Sequence, residues 1–285
     1  MLRLSLQAKL EAGLADMGLH VSEEKQAQLV QYLLLLQKWN QVHNLTAVRD
    51  PLEMVTLHLL DSLSVLPDVE ASGAKRLLDV GAGAGLPSIP LAICLPNLQV
   101  TAIDAVMKKT SFMRQAKGEL DLPNFHVETG RVRPAAGPRR RRRPGVDGYL
   151  EDGGFDVAML FRRLDACIFD GLVDELPRLR RAGVATYGAS PLHMGLLGSR
   201  HEEFLRAPPP WVWPAPVARA RRLWVLAERR GLPLPVLAHR FCFSLEEIDR
   251  VVIGARSPAE LHDAWAAWQA GPLPADLFDE VCAAQ

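Results

Sequence analysis

The chain has 285 residues, 48% of them hydrophobic, and equal numbers of basic and acidic residues for a formal net charge of zero. That describes a soluble globular protein of one or two domains with ample material for a core. The four cysteines, Cys94, Cys167, Cys242 and Cys282, are widely spaced with no Cys-x-x-Cys pair, which excludes a zinc ribbon and a disulfide framework and fits a reducing cytosol.

The neutral total hides a change along the chain. All seven lysines lie at or before Lys117, whereas twenty of the twenty-six arginines follow residue 133, and five of the six tryptophans fall in the second half. The shift is centred on "RVRPAAGPRRRRRPGVDG", residues 131–148, where Pro138 and Pro144 enclose Arg139 to Arg143. A composition break at such a stretch marks a boundary. The expected organisation is 1–133, a Pro/Arg-rich linker or seam at 134–145, and 146–285.

The opening "MLRLSLQAKLEAGLADMG" has neither the apolar core nor the cleavage site of a signal peptide. The longest apolar run, "YLLLL" at 32–36, is far too short to cross a bilayer, so a cytoplasmic protein with no membrane partner is expected. Ser22 then precedes a helical pattern with acidic residues in its first turn and apolar ones at Leu29, Tyr32, Leu33, Leu36 and Trp39. Asp50 and Pro51 suit the cap and first position of the next helix, "LEMVTLHLLDSLSVL". Together these predict a small helical cap. His43, His58 and Asp61 form no recognised metal-ligand spacing. His58 and Asp61, three apart on one helix, can hydrogen-bond, and a packing role suits them better than acid–base chemistry.

Arg76 to Val80 read as a buried strand, Gly81, Gly83 and Gly85 as a tight loop, and Ile89 to Cys94 as a helix. Glycine lets the backbone approach a ligand closely and adopt positive φ, so the loop can cradle a nucleotide-like group beside a helix N-terminus. A second strand, "LQVTAIDAV", delivers Asp104 about twenty residues past the loop, where a carboxylate accepts ribose hydroxyls. The alternative is an aspartate that caps the following helix. Asp79 before the glycines, without the wider Gly-x-Gly-x-x-Gly spacing of a pyrophosphate site, favours S-adenosylmethionine over a dinucleotide. Lys108, Lys109, Arg114 and Lys117 offer either a surface for an RNA backbone or a solvated helix face.

Several segments carry a family resemblance: Trp39-Asn40 with Asn44-Leu45-Thr46, His58 with Asp61-Ser62, "LLDVGAGAGLPSIPLAI", "VTAIDAVMKKTSFMRQ" and "NFHVETGRV". Occurring together and in order from about residue 3 to 132, they resemble the bacterial small-subunit rRNA guanine-N7 methyltransferases, the glucose-inhibited division protein B family. The resemblance implies S-adenosylmethionine as cofactor, 16S rRNA or a small-subunit particle as partner, and cofactor contacts from Asp79, Gly81, Gly83, Gly85, Leu86 and Asp104. It places Arg131 and Val132 on the adenine side. No catalytic residue is assigned, because guanine N7 needs no general base. Two departures stand out: Ser88 where the family has glycine, and Arg133 where it has glutamate.

Beyond the arginine run, "FDVAMLFRR" at 155–163 imitates a fourth strand and "GVATYGA" at 183–189 a fifth, with Arg162 one position beyond the family arginine. Residues 146–282 instead resemble the last three strand–helix units of an aldo-keto reductase, closest to the galactose or fucose dehydrogenase branch. That likeness implies a vestigial NADP site around Ser190, Leu192, Gly254, Arg256 and Ser257. The family's catalytic tyrosine, lysine, aspartate and histidine come from earlier barrel units, and neither Tyr149 nor Tyr187 holds the catalytic position. Trp211 and Trp213, set among prolines, suit an extended loop over an apolar surface better than a stacking platform.

The expected fold is therefore α/β: a helical cap and an incomplete Rossmann-like methyltransferase sheet, followed by a partial (β/α)8-barrel segment. Strands from two different folds are not expected to pair, since side-chain complementarity between them would be accidental. Methylation of guanine N7 in small-subunit rRNA is the leading function. The alternatives are an NADP-dependent aldo-keto reductase fragment without its tetrad, and a non-catalytic basic RNA-binding protein docking through Arg139 to Arg143.

Overall fold

The computed structural model describes residues 1–130, 154–161, 166, 176–208, 214–255 and 257–284. The chain forms two compact units divided after Ala158. Arg131, Val132, Arg133, the run Arg139 to Arg143, Tyr149, Arg162, Cys167, Trp211, Trp213 and Arg256 lie outside the described residues.

In the first unit, α1 (Leu2–Asp16) buries Leu6, Leu10 and Leu14, one residue per turn. Helix α2 (Glu23–His43) begins where the Ser22 hydroxyl accepts the Lys25 N–H, and it buries Leu29, Tyr32, Leu33 and Leu36 on one face. The Asp50 carboxylate accepts the Leu52 N–H at 2.9 Å to start α3 (Pro51–Met54). The helical run predicted from there persists with a change of pitch: a π-helical turn occupies Val55–Leu60 before α4 (Asp61–Leu63). Helix α5 (Leu66–Ala71) completes the cap.

Strand β1 (Arg76–Val80) follows, then α6 (Ser88–Cys94), β2 (Gln99–Asp104), α7 (Met107–Glu119) and β3 (Phe125–Thr129). β1 pairs with β2 and β2 with β3, both parallel, in a register that sets Val80 opposite Ile103 and Asp104 opposite Thr129. Parallel strands buried on both faces need nearly continuous apolar sequence, and Leu77, Leu78, Val100, Ala102 and Ile103 are all buried.

The expectation that the strand beyond the arginine run would not pair with the first-half sheet is overturned. In unit 1 the strand order is β3-β2-β1, and the first residues of β4 (Val157–Phe161), which runs on past the division after Ala158, lie beside β1. The physical reason lies in the backbone. An open edge on β1 presents N–H and C=O groups that any strand can satisfy. "VAMLF" supplies the apolar character a central strand needs, and Val157, Ala158, Met159 and Leu160 are all buried. Ladder hydrogen bonds are indifferent to ancestry, and cores tolerate hydrophobic side chains of about the right size.

The second unit mixes strands and helices, with three consecutive helices between its last two strands. After β4 come α8 (Leu176–Arg181), β5 (Ala185–Ala189), a 3-10 turn (His193–Gly195), α9 (His201–Arg206), α10 (Pro214–Arg229), α11 (Leu234–Phe243), β6 (Arg250–Val252), α12 (Pro258–Gln269) and α13 (Ala275–Ala283). The order here is β4-β5-β6, and β5 and β6 run parallel with Tyr187 opposite Arg250. Among the described residues no helix is long and apolar enough to cross a membrane.

Candidate functional site

The loop after β1 carries three glycines with positive φ: 85° at Gly81, 62° at Gly83 and 87° at Gly85. At Gly85 the requirement is double. A β-carbon there would be strained by φ and would lie 2.5 Å from Ile89 Cδ1. The loop is tied to β2 through the Gly81 N–H, which donates to the Ile103 carbonyl at 2.8 Å.

Asp104, at the carboxyl end of β2, spans the same region. Its Oδ2 accepts the Gly83 N–H at 2.9 Å and its Oδ1 accepts the Val106 N–H at 2.8 Å, while Lys109 Nζ stands 3.6 Å from Oδ2. The carboxylate is 6% exposed and holds the glycine loop as well as the turn into α7. Each carboxylate oxygen accepts more than one hydrogen bond, so these contacts leave acceptor capacity.

Asp79 lies beneath the loop at 1% exposure. Burial pushes its carboxyl up to about 7, and the neighbouring Asp104 charge adds to the rise. Ser88 acts in the opposite direction from close by, without reaching hydrogen-bond geometry. Asp79 Oδ2 and Ser88 Oγ are both buried and unpartnered, which is unusual for side-chain polar atoms and marks the base of the loop as polar and unsatisfied.

From the cap, Tyr32 reaches the same loop: its hydroxyl donates to the Ala84 carbonyl at 2.9 Å. The sequence marks Tyr32 only as one member of an apolar stripe. Its phenol among leucines was the available signal, because a buried tyrosine hydroxyl needs an acceptor.

The other candidates fall into place around this centre. His58 Nε2 lies 2.9 Å from Thr46 Oγ1 and its Nδ1 2.9 Å from the Leu57 carbonyl, so its ring nitrogens face Thr46 and its own backbone and not Asp61. Burial lowers its pKa. Asn40 donates to the Val48 carbonyl and accepts the Thr46 N–H, and so helps build the turn after α2. Lys108 donates to the His43 carbonyl and Arg114 to Thr129 Oγ1, both from the exposed face of α7.

In the second unit, Ser190 has φ 69° at the end of β5, and Leu192 opens the 3-10 turn. The Ser257 hydroxyl accepts the Glu260 N–H and caps α12. Gly254 lies in the loop between β6 and α12. The segment between the 3-10 turn and α9 meets the first turn of α12 where Ser199 Oγ donates to Glu260 Oε1 at 2.8 Å.

Comparison with known families finds a different family in each part of the chain. Residues 25–143 match the family model of rRNA small subunit methyltransferase G. The first half is similar to that methyltransferase. The methyltransferase-like half is 64% identical over 127 residues to ribosomal RNA small subunit methyltransferase G of Methylobacillus flagellatus, covering 45% of this chain and 60% of the relative. It is 49% identical over 156 residues to the Burkholderia thailandensis protein of the same name, covering 54% and 63%. The chain thus spans about three-fifths of the length of these relatives. Residues 174–285 match the aldo/keto reductase family. An aldo-keto reductase from Bacillus halodurans in its holo form aligns at 15% identity and a TM-score of 0.44, over 93% of this chain and 88% of that one.

Proposed function

We propose that the methyltransferase-like half binds S-adenosylmethionine and that the chain acts, as a cytoplasmic protein, on guanine N7 of small-subunit rRNA. The observation that carries the reading is the strand-end constellation of Asp79, the three-glycine loop and Asp104, within a segment 64% identical to a methyltransferase of that name. What supports the cofactor is the acceptor capacity that Asp104 keeps at the carboxyl end of β2, beside a loop whose glycines at 81, 83 and 85 all take positive φ.

The cofactor supplies a methyl group on a sulfonium, and guanine N7 supplies a lone pair without a proton to remove. The protein's task is then positioning, not proton transfer. Asp104 would accept the ribose hydroxyls while keeping the Gly83 amide in place. Gly81 and Leu86 would line the cofactor, and Arg131 with Val132 would face the adenine. Isothermal titration of the full chain with S-adenosylmethionine tests the reading, and no heat of binding at millimolar ligand rejects it.

A second reading rests on the second unit, where Ser199, in the segment after β5, donates to Glu260 in the first turn of α12. Ser190, Leu192, Gly254, Arg256 and Ser257 would there hold the phosphates of NADP. Quenching of tryptophan fluorescence by NADPH would support it, and no quenching at millimolar NADPH would remove it.

A further inference from the structure

We propose that Tyr32 is a positioning residue of the S-adenosylmethionine site, setting the shape of the glycine loop from the helical cap; the inference rests on the reading of that site given above. Among the described residues, four side chains of α2 hydrogen-bond to the α/β layer. Lys25 donates to the Cys94 carbonyl, Gln28 to the Leu120 carbonyl and Gln31 to the Glu119 carbonyl. These three contacts sit at the carboxyl ends of α6 and α7, away from the loop. Tyr32 alone among them reaches the loop itself.

Its target is the peptide between Ala84 and Gly85. The carbonyl of that peptide takes the Tyr32 hydroxyl at 2.9 Å, and its N–H donates to the Ala82 carbonyl at 2.8 Å. A peptide next to glycine turns over easily, because glycine accepts both signs of φ at similar cost. Holding the carbonyl therefore decides which way the Gly85 amide points. Tyr32 and its acceptor are shielded from water: the side chain is fully buried, Ala84 is buried, and the ring packs 6.2 Å from that of Phe112. Burial also holds the phenol far above its usual pKa, so the hydroxyl remains a donor throughout the working pH range.

The experiment compares Tyr32→Phe with Gln28→Leu in the full chain. Tyr32→Phe keeps the ring and leaves the Ala84 carbonyl unpaired. Gln28→Leu removes an equivalent helix-to-carbonyl contact elsewhere on α2. Titration with S-adenosylmethionine is expected to give a Kd about tenfold higher for Tyr32→Phe and an unchanged Kd for Gln28→Leu. Without cofactor, amide hydrogen exchange across 81–86 is expected to quicken in Tyr32→Phe only. A Tyr32→Phe Kd within twofold of the unaltered chain overturns the proposal, as does an equal weakening by Gln28→Leu, which would mark a general docking role. If the unaltered chain fails to bind, the cofactor reading falls together with the proposal. Binding by the unaltered chain with Tyr32→Phe unaffected removes the Tyr32 role alone.

Discussion

Asp156 and Arg76 are joined reciprocally. The Asp156 N–H donates to the Arg76 carbonyl at 2.9 Å, and Asp156 Oδ2 accepts the Arg76 N–H at 2.9 Å together with that of Lys75 at 2.7 Å. Around this pair, the Arg76 guanidinium stands over the Phe155 ring, 5.5 Å from its centre. The second unit repeats the device, with Asp249 Oδ2 accepting the Thr186 N–H at 2.7 Å while the Asp249 N–H donates to the Thr186 carbonyl. In both places an aspartate just before a strand takes a backbone amide near the start of the neighbouring strand.

Asp156→Ala removes the acceptor for two backbone amides. Because the site is exposed, water replaces part of the loss, and the expected cost is about 1 kcal/mol of stability. Asp156→Asn, which retains an acceptor oxygen, is expected to lose less than half as much. Urea unfolding followed by circular dichroism reads both, and an unchanged midpoint for Asp156→Ala would show that the strand pairing does not depend on this residue.

Asp79 predicts a pH dependence of definite sign. Its folded pKa of about 7 stands above the ordinary value of 3.8, so between these pH values the unfolded chain has released a proton that the native state keeps. Stability from this group is therefore lost as pH rises from about 4 to about 7 and is level above that. At about 1.4 kcal/mol per pH unit the penalty approaches 4 kcal/mol, to order of magnitude. Asp79→Asn lacks it. The stability of Asp79→Asn relative to the unaltered chain should rise across that interval, measured by denaturation at pH 4.5, 6 and 7.5; parallel pH profiles would refute the assignment.

Gly83→Ala and Gly85→Ala separate two costs. At Gly83 the nearest atom to a new β-carbon is 4.0 Å away, so only the positive φ is penalised, at about 1–2 kcal/mol. At Gly85 the collision with Ile89 Cδ1 at 2.5 Å adds overpacking, raising the expected loss to about 2–4 kcal/mol. Thermal unfolding of the two variants should rank them in that order. Equal shifts would mean that Ile89 moves aside freely.

Much of the site can be read from residue order because its signals are local. Glycines at 81, 83 and 85 mark the backbone that must take positive φ, and the interval to Asp104 is that of one strand–helix–strand unit. Ser22 and Asp50 announce their helices because capping acts within four residues. Tyr32, Asp156 and Ser88 were not legible in that way. Each acts on an atom far away in sequence: Tyr32 on Ala84, Asp156 on Arg76, and Ser88 in a buried environment shared with Asp79.

Residue order by itself marked the change of composition at the arginine run, the likeness of the two halves to two different families, and the strand–loop–helix frame of the site. Local propensities and motif spacing are enough for that. Tertiary structure alone decided that the strand beyond the arginine run lies beside β1, contrary to expectation. Backbone hydrogen bonding is common to all strands, so an exposed edge and an apolar segment can pair whatever their history, and no local signal in either segment specifies the choice.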